Sequence, residues 1–336
     1  MKPRKETSER LIEAARQLFL KQGYTATGIA QILELADVNA GSLYHFFPTK
    51  VGGKMLTRYE SDGRLGDEKT IENTVISFEP KRMLSIKATK PPEKFPFKEA
   101  IQGMWTVIYF DALGPRRTLV TVISLGFSET EESRKMREHF RAGNEWTLKK
   151  LKGKFAPDPK VGVANHPAPG AATSAPMKAE LEPIELEAVV SAPREEVWKA
   201  WTTNGGAQSF FAPETNIVLR PGGAYEILFA PEKPKGERGA EDVKVLSYLP
   251  QEMLSFEWNA SPKFTLARPQ RTWVVLRFDD AGRGRTRLRL AHAGFAERAE
   301  SNPDQRDEWV QVRAYFSEAW PRVLGKLKDR FREGSH

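Results

Sequence analysis

The sequence predicts an α+β chain made of unlike parts. A small unit of three helices comes first. Two modules follow, each an antiparallel sheet around a long C-terminal helix, and the first of them lacks its opening strand and helices. Three observations lead there. Apolar residues near the N-terminus recur at three- and four-residue spacing. From Lys54 the pattern switches to short β-rich runs between turn residues. The chain also matches itself, with its middle and its C-terminal part carrying the same residues at offsets of 170, 168 and 176.

Composition bounds the reading. The chain has 336 residues, 40% hydrophobic and 29% charged, which is room for two or three domains of ordinary globular make-up. A net charge of +8 suits a polyanion such as DNA. With no cysteine, neither a disulfide framework nor thiolate chemistry is expected. The histidines His45, His139, His166, His292 and His336 are scattered, so no metal site and no cofactor is expected. No apolar run approaches the roughly 20 residues of a membrane span. Residues 1–6 carry charges without an apolar core behind them, so they do not read as a signal peptide. The expected compartment is the cytoplasm.

Residues 1–50 read as the helical unit. Over 8–21, Leu11, Ala14, Ala15, Leu18 and Phe19 fall on one face, with Glu9, Glu13, Arg16 and Lys21 between them. Thr27 caps a second helix running to Leu35 with Ile29, Ile32 and Leu33 inward, although Gly28 in its first turn costs about 1 kcal/mol. Residues 36–37 turn, and 38–44 form a short third helix. Helix, tight turn and short helix make the helix-turn-helix layout, in which the last helix enters the major groove.

These residues resemble the TetR repressor family. The strings AARQLFLKQGYTATGIAQI and ADVNAGSLYHFFPTK follow that family's N-terminal module over residues 5–50. The resemblance implies DNA binding, with Asn39, Ala40, Gly41 and Ser42 facing the groove, Tyr44 and His45 touching backbone or base edges, and Thr27 and Lys50 near phosphates. Ser, Asn, Tyr and Lys are common phosphate donors, and a small Gly lets a helix approach closely. Phe46 and Phe47 are expected to close the three-helix core, an alternative open to Tyr44 as well. The family continues after PTK into a long helix leading to a helical ligand and dimer domain. Here Val51-Gly52-Gly53 interrupts such a helix, so that domain is expected to be absent.

Residues 51–155 read as strands over 55–59, 74–78, 83–88, 105–110 and 118–125, then a helix over 131–155 with Phe140, Leu148, Leu151 and Phe155 inward. The same pattern returns later. At an offset of 170, Gly52-Gly53, Val75, Ser77 and Met83 match Gly222-Gly223, Val245, Ser247 and Met253. At 168, Trp105, Val107, Phe110, Gly126 and Phe127 match Trp273, Val275, Phe278, Gly294 and Phe295. At 176, Leu151 and Phe155 match Leu327 and Phe331. Identities so dense mark two copies of one module.

Residues 156–183 are rich in Pro and Ala and poor in large apolar residues, so they are expected to be a flexible linker. Met177 stands just ahead of the complete module. Residues 184–332 then carry a strand over 184–190, a helix over 193–202, a strand over 215–219, five or six further strands, and a long helix over 307–332.

This second module resembles the SRPBCC superfamily (helix-grip, START-like), and in particular the branch named for activators of the heat-shock chaperone ATPase. The strings are VSAPREEVWKAWT, RPGGAYEILF, VLSYLPQEMLSFEW, TWVVLRF, TRLRLAHAGF and YFSEAWPRVLGKLKDRF. The resemblance implies a cavity between sheet and helix. Candidate cavity residues before and within the first strands are Trp201, Phe211, Tyr225, Phe229 and Trp258. From the later strands and the last helix come Trp273, His292, Phe295, Tyr315, Phe316 and Trp320. Each is equally a candidate core residue, since protein interiors are close-packed.

No nucleophile–base pair, paired carboxylates or phosphate loop is found, so an enzyme is not expected. The chain reads as a DNA-binding transcriptional regulator whose SRPBCC module binds an apolar small molecule or a chaperone partner, with a homodimer as the working form and no membrane partner. The alternative is an SRPBCC ligand-binding or chaperone-regulating protein in which the helix-turn-helix is a fusion remnant.

Overall fold

The computed structural model describes residues 4–22, 29–36, 50–57, 66–114, 117–155 and 180–332. The chain divides into two units, residues 1–173 and 174–336.

In the first unit, α1 (Arg4–Gln22) packs on α2 (Ile29–Ala36) through its predicted apolar face, with Ile32 as expected and Ala36, expected in the turn, on the side of α2. Leu11, Ala14, Ile32 and Ala36 are buried, with Leu18 and Phe19 half-buried against them. The Arg10 guanidinium donates to the Ala36 carbonyl and so caps the end of α2. The third helix expected at 38–44 lies outside the described residues.

A five-stranded antiparallel sheet follows, in the order β1 (Lys54–Thr57), β2 (Ile71–Glu79), β3 (Met83–Lys90), β4 (Trp105–Gly114) and β5 (Arg117–Leu125). A single turn, α3 (Ala100–Gly103), was not legible in the sequence; it precedes β4. Helix α4 (Glu131–Lys154) is capped by Thr130, whose hydroxyl accepts from the Ser133 N–H at 3.3 Å. Met136 is its buried anchor, packed with Ile101 and Met104. Phe140, Leu148, Leu151 and Phe155 are half-buried.

The second unit opens with β6 (Ile184–Val190), α5 (Arg194–Thr202), α6 (Asn204–Gln208), β7 (Glu214–Ile217), β8 (Tyr225–Leu228) and β9 (Gly239–Ala240). Then come β10 (Val245–Leu249), β11 (Met253–Trp258), β12 (Thr272–Asp280), β13 (Thr286–Ala293), α7 (Phe295–Ser301) and α8 (Arg306–Arg332). The main sheet runs β10-β11-β12-β13-β6 and a smaller one β7-β8-β9, with all pairs antiparallel. Val274, Leu276, Phe278, Leu288 and Leu290 of the sheet share one core with Trp309, Val312, Leu324 and Leu327 of α8. Leu181 belongs to that core too. Packed chain therefore begins within the stretch 156–183 that was expected to be linker, because Leu181 has an apolar surface to cover it; residues 156–179 lie outside the described residues.

The two sheets repeat each other bond for bond. Gly52 N donates to Val75 O at 2.8 Å and Val75 N to Gly53 O at 2.9 Å; Gly222 N donates to Val245 O at 2.7 Å and Val245 N to Gly223 O at 2.8 Å. A bulge follows at Val75/Ser77 in one and Val245/Ser247 in the other. Phe110 N donates to Arg82 O, as Phe278 N does to Glu252 O, both at 2.9 Å. The sheets part at their first-strand edge, among other places. The pair Lys54↔Thr74 continues as a ladder to Thr57↔Ile71, whereas its equivalent Ala224↔Lys244 is a lone bridge, after which β8 pairs with β7 and β9.

Candidate ligand cleft

Helix α8 presents one stripe to the mouth of the second unit. Tyr315, Phe316, Ala319, Trp320 and Val323 recur at three- and four-residue spacing, and all line a cleft of about 260 Å³. Facing them are Phe211 after α6, Phe229 after β8 and Trp258 at the end of β11. The floor is aromatic. Phe211 lies nearly parallel to Trp258 (11°, centroids 5.8 Å apart), and Trp320 sits 5.3 Å from Trp258 and 6.0 Å from Phe211. Phe229 stands at the entrance, 48% exposed.

The rim is polar. Arg238, Arg268 and Glu237 line it, and Glu241 lies buried beneath. The Glu241 carboxylate accepts from the N–H groups of Gly236 (2.9 Å) and Arg238 (3.0 Å), from Arg238 Nε (2.9 Å) and from Arg268 Nη2 (3.0 Å). Burial pushes this carboxyl up, but the Gly236 N–H and the two groups of Arg238 outweigh it and hold it below the usual carboxylate range. Arg268 also donates to the carbonyls of Ala260 (2.5 Å) and Gly239 (3.0 Å), pinning both sides of the mouth together.

Behind the floor lies a polar relay. Indole nitrogen is a donor only, so Trp320 Nε1 donates to His292 Nδ1 at 2.9 Å and the ring proton sits on Nε2. Nε2 then donates to Thr272 Oγ1 at 2.8 Å, and that hydroxyl donates to the Trp258 carbonyl at 3.0 Å. Both cleft tryptophans are thus held from behind by one imidazole. His292 is fully buried among Phe295 (4.5 Å) and Phe316 (4.9 Å), and burial lowers its pKa to about 3.

Of the cavity residues expected from the sequence, Phe211, Phe229, Trp258, Tyr315, Phe316 and Trp320 come together at the cleft. Trp201, Tyr225, Trp273, His292 and Phe295 do not line it and are core residues instead, none more than 2% exposed. The reason is packing. Trp201 lies against Phe210 and Phe211, and Tyr225 stacks on Phe256 at 4.1 Å while its hydroxyl donates to the Trp201 carbonyl at 2.9 Å. The rim charges were not foreseen, because Arg268 comes from a loop 27 residues away from Glu241 and no sequence pattern joins it to the Arg238–Glu241 pair. The alternating arginines of β13 meet cross-strand carboxylates, Arg289 with Asp279 (2.6 Å) and Arg287 with Glu187 (3.1 Å).

Of the residues expected to face DNA, Thr27, Asn39, Ala40, Gly41, Ser42, Tyr44 and His45 lie outside the described residues; Lys50 is described and exposed, its carbonyl closing the turn to Gly53 N at 3.0 Å. Among the described residues no helix is long and apolar enough to cross a membrane.

Comparison with known proteins divides along the same lines. Residues 191–332 match the family of activator of Hsp90 ATPase homolog 1-like proteins, and residues 11–52 match bacterial regulatory proteins of the tetR family. The chain is 29% identical over 104 residues to the uncharacterized HTH-type transcriptional regulator YxaF of Bacillus subtilis (strain 168), covering 31% of this chain and 54% of that protein. It is 39% identical over 56 residues to the HTH-type transcriptional repressor NemR of Escherichia coli (strain K12), covering 16% and 28%. It thus spans about half the length of these relatives or less. The crystal structure of protein MLL2253 from Mesorhizobium loti is similar at 22% identity, covering 46% of this chain and all of that one, with a TM-score of 0.36.

Proposed function

We propose that this chain, with a TetR-type segment at 11–52 and an activator-of-Hsp90-ATPase-homolog-1-like domain at 191–332, is a DNA-binding transcriptional regulator whose cleft binds an apolar small molecule. The match over residues 11–52 carries the DNA half of the reading. In this reading Thr27, Asn39, Ala40, Gly41, Ser42, Tyr44, His45 and Lys50 are the contact residues. A cytoplasmic homodimer reads two half-sites, and a ligand that binds the free and DNA-bound forms unequally shifts the balance between them. The aromatic cleft supports the ligand half, being concave, mostly apolar and edged by a few polar groups.

Selection of bound duplexes from a random-sequence pool by the intact chain tests it. A palindromic consensus is expected, with Tyr44→Ala weakening specific binding tenfold or more. Lys50→Ala is expected to weaken all sequences alike and to reduce the salt slope by about 1. A pool that shows no enrichment sinks the regulator reading.

One observation favours a second reading. After Lys50 the chain turns through Gly52 and Gly53 into β1, and the first sheet reads as an incomplete copy of the module. In this reading the C-terminal domain binds a ligand or regulates a chaperone ATPase, and the N-terminal segment is a fusion remnant. Absence of DNA selection together with stimulation of a chaperone ATPase by the intact chain would favour it.

A further inference from the structure

The two guanidinium groups of the rim are unequally engaged. Two guanidinium groups, Arg238 and Arg268, share the single buried carboxylate of Glu241, and the other acid of the rim, Glu237, is exposed to water. Arg268 is consumed by structure, with Nη1 on the Ala260 carbonyl and Nη2 on Gly239 and Glu241. Arg238 is not. Only its Nε is engaged, at 2.9 Å from Glu241, and among the described residues both of its Nη groups have no partner. Arg238 lines the aromatic cleft, and its engaged Nε fixes the guanidinium plane while leaving the Nη edge as a pair of donors.

We infer that the cleft takes a planar aromatic carboxylate, with its ring system on Trp258 and Trp320 and its carboxylate bidentate on the Nη edge of Arg238. The inference rests on the small-molecule reading of the cleft and adds the ligand's charge and shape. Three features fit it together: an aromatic floor, a volume of about 260 Å³ that suits one or two fused rings better than a long acyl chain, and a cleft-lining guanidinium whose Nη donors have no partner among the described residues. The partly apolar surroundings strengthen such a pair relative to one in open water.

Calorimetric titration of the intact chain with 2-naphthoate and with its neutral isostere 2-naphthamide decides the matter. The carboxylate is expected to bind at least tenfold more tightly than the amide. Arg238→Gln is expected to bring that ratio close to one. Equal affinity for the two probes in the unaltered protein overturns the anion assignment and leaves the apolar-ligand reading standing. No binding of either probe overturns both. If Arg238→Gln weakens the amide as well, the loop it anchors has moved and Arg238→Lys decides. The lysine keeps the charge but not the planar donor pair, so an unchanged ratio overturns the bidentate assignment and a severalfold smaller one supports it.

Discussion

On β12, Val274, Leu276 and Phe278 are at most 1% exposed, while on β4 the residues at the same places, Thr106, Ile108 and Phe110, are half-buried. The strands pair alike and turn alike, so the difference lies in what covers them. In the second unit β6 extends the sheet beyond β13, and α5 brings Val197 and Trp198 onto its inner face. In the first unit, among the described residues, β5 is the last strand and α1 and α2 are the elements ahead of Gly52. Strand pairing is written locally, by turns and bulges, and survives the loss of neighbours; burial is supplied by distant segments and does not.

The largest expected effect tests that contrast directly. Phe278 meets Trp198 edge-on at 5.3 Å in the closed core. Phe278→Ala is expected to cost the second unit about 3–5 kcal/mol, the usual range for a buried Phe. Phe110→Ala is expected to cost the first unit less than half of that, because part of the ring already faces water. Urea denaturation of the intact chain, with hydrogen exchange assigning each transition, measures both. Equal losses would break the comparison.

The next effect should be shared by both units. Gly126 and Gly294 follow the last strand of each sheet with φ of +82° and +106°. A Cβ at Gly126 would stand 2.0 Å from the Gly103 carbonyl oxygen and 2.8 Å from Trp105 Cζ3; at Gly294 it would stand 2.6 Å from Trp273 Cζ3. Either Gly→Ala change combines a left-handed backbone, about 1–2 kcal/mol, with an overlap of about 1–3 kcal/mol. We expect roughly 2–5 kcal/mol from each by the same denaturation. A harmless Gly126→Ala would mean that the first sheet does not hold the geometry of the second.

This contrast also separates what could be read in the sequence from what could not. The strands β1 to β5 and helix α4 were legible from alternation and turn residues, and the Gly-Gly pairs pointed to the matching turns of the two sheets. Half of the cleft was legible too, since an aromatic stripe at helical spacing on α8 has to face something. What was not legible is which aromatics face the void. Trp201 and Trp320 look alike in sequence, and only the packing of Phe210 and Phe211 against Trp201 puts one behind the wall and the other in it. The closure of Arg268 onto the Arg238–Glu241 pair was illegible for a similar reason, because a distant loop brings it there.

The smallest expected effect is the most specific to one unit. In both units the long helix is tied to the last strand of its repeat by one side-chain hydrogen bond, at matching places and with different chemistry. In the first, Asn144 Nδ2 donates to Ser124 Oγ at 3.4 Å; in the second, Trp320 Nε1 donates to His292 Nδ1 at 2.9 Å. Only the second link titrates. Burial lowers the His292 pKa from 6.5 to about 3 in the folded protein, so between those values the unfolded chain takes up a proton that the folded one refuses. The contribution is therefore fully present above pH 6.5 and is lost as pH falls toward 3. Between pH 6.5 and 5, above the range where most carboxylates titrate, the second unit is expected to lose roughly 2 kcal/mol and the first almost nothing from its own link. His292→Asn lowers stability at neutral pH by disturbing the relay to Thr272, but it should flatten this slope, since Asn carries no titrating group. Denaturant midpoints of the intact chain across that window distinguish the two. A slope that persists in His292→Asn, or one of equal size in the first unit, would place the acid sensitivity elsewhere and leave the two links equivalent in function despite their chemistry.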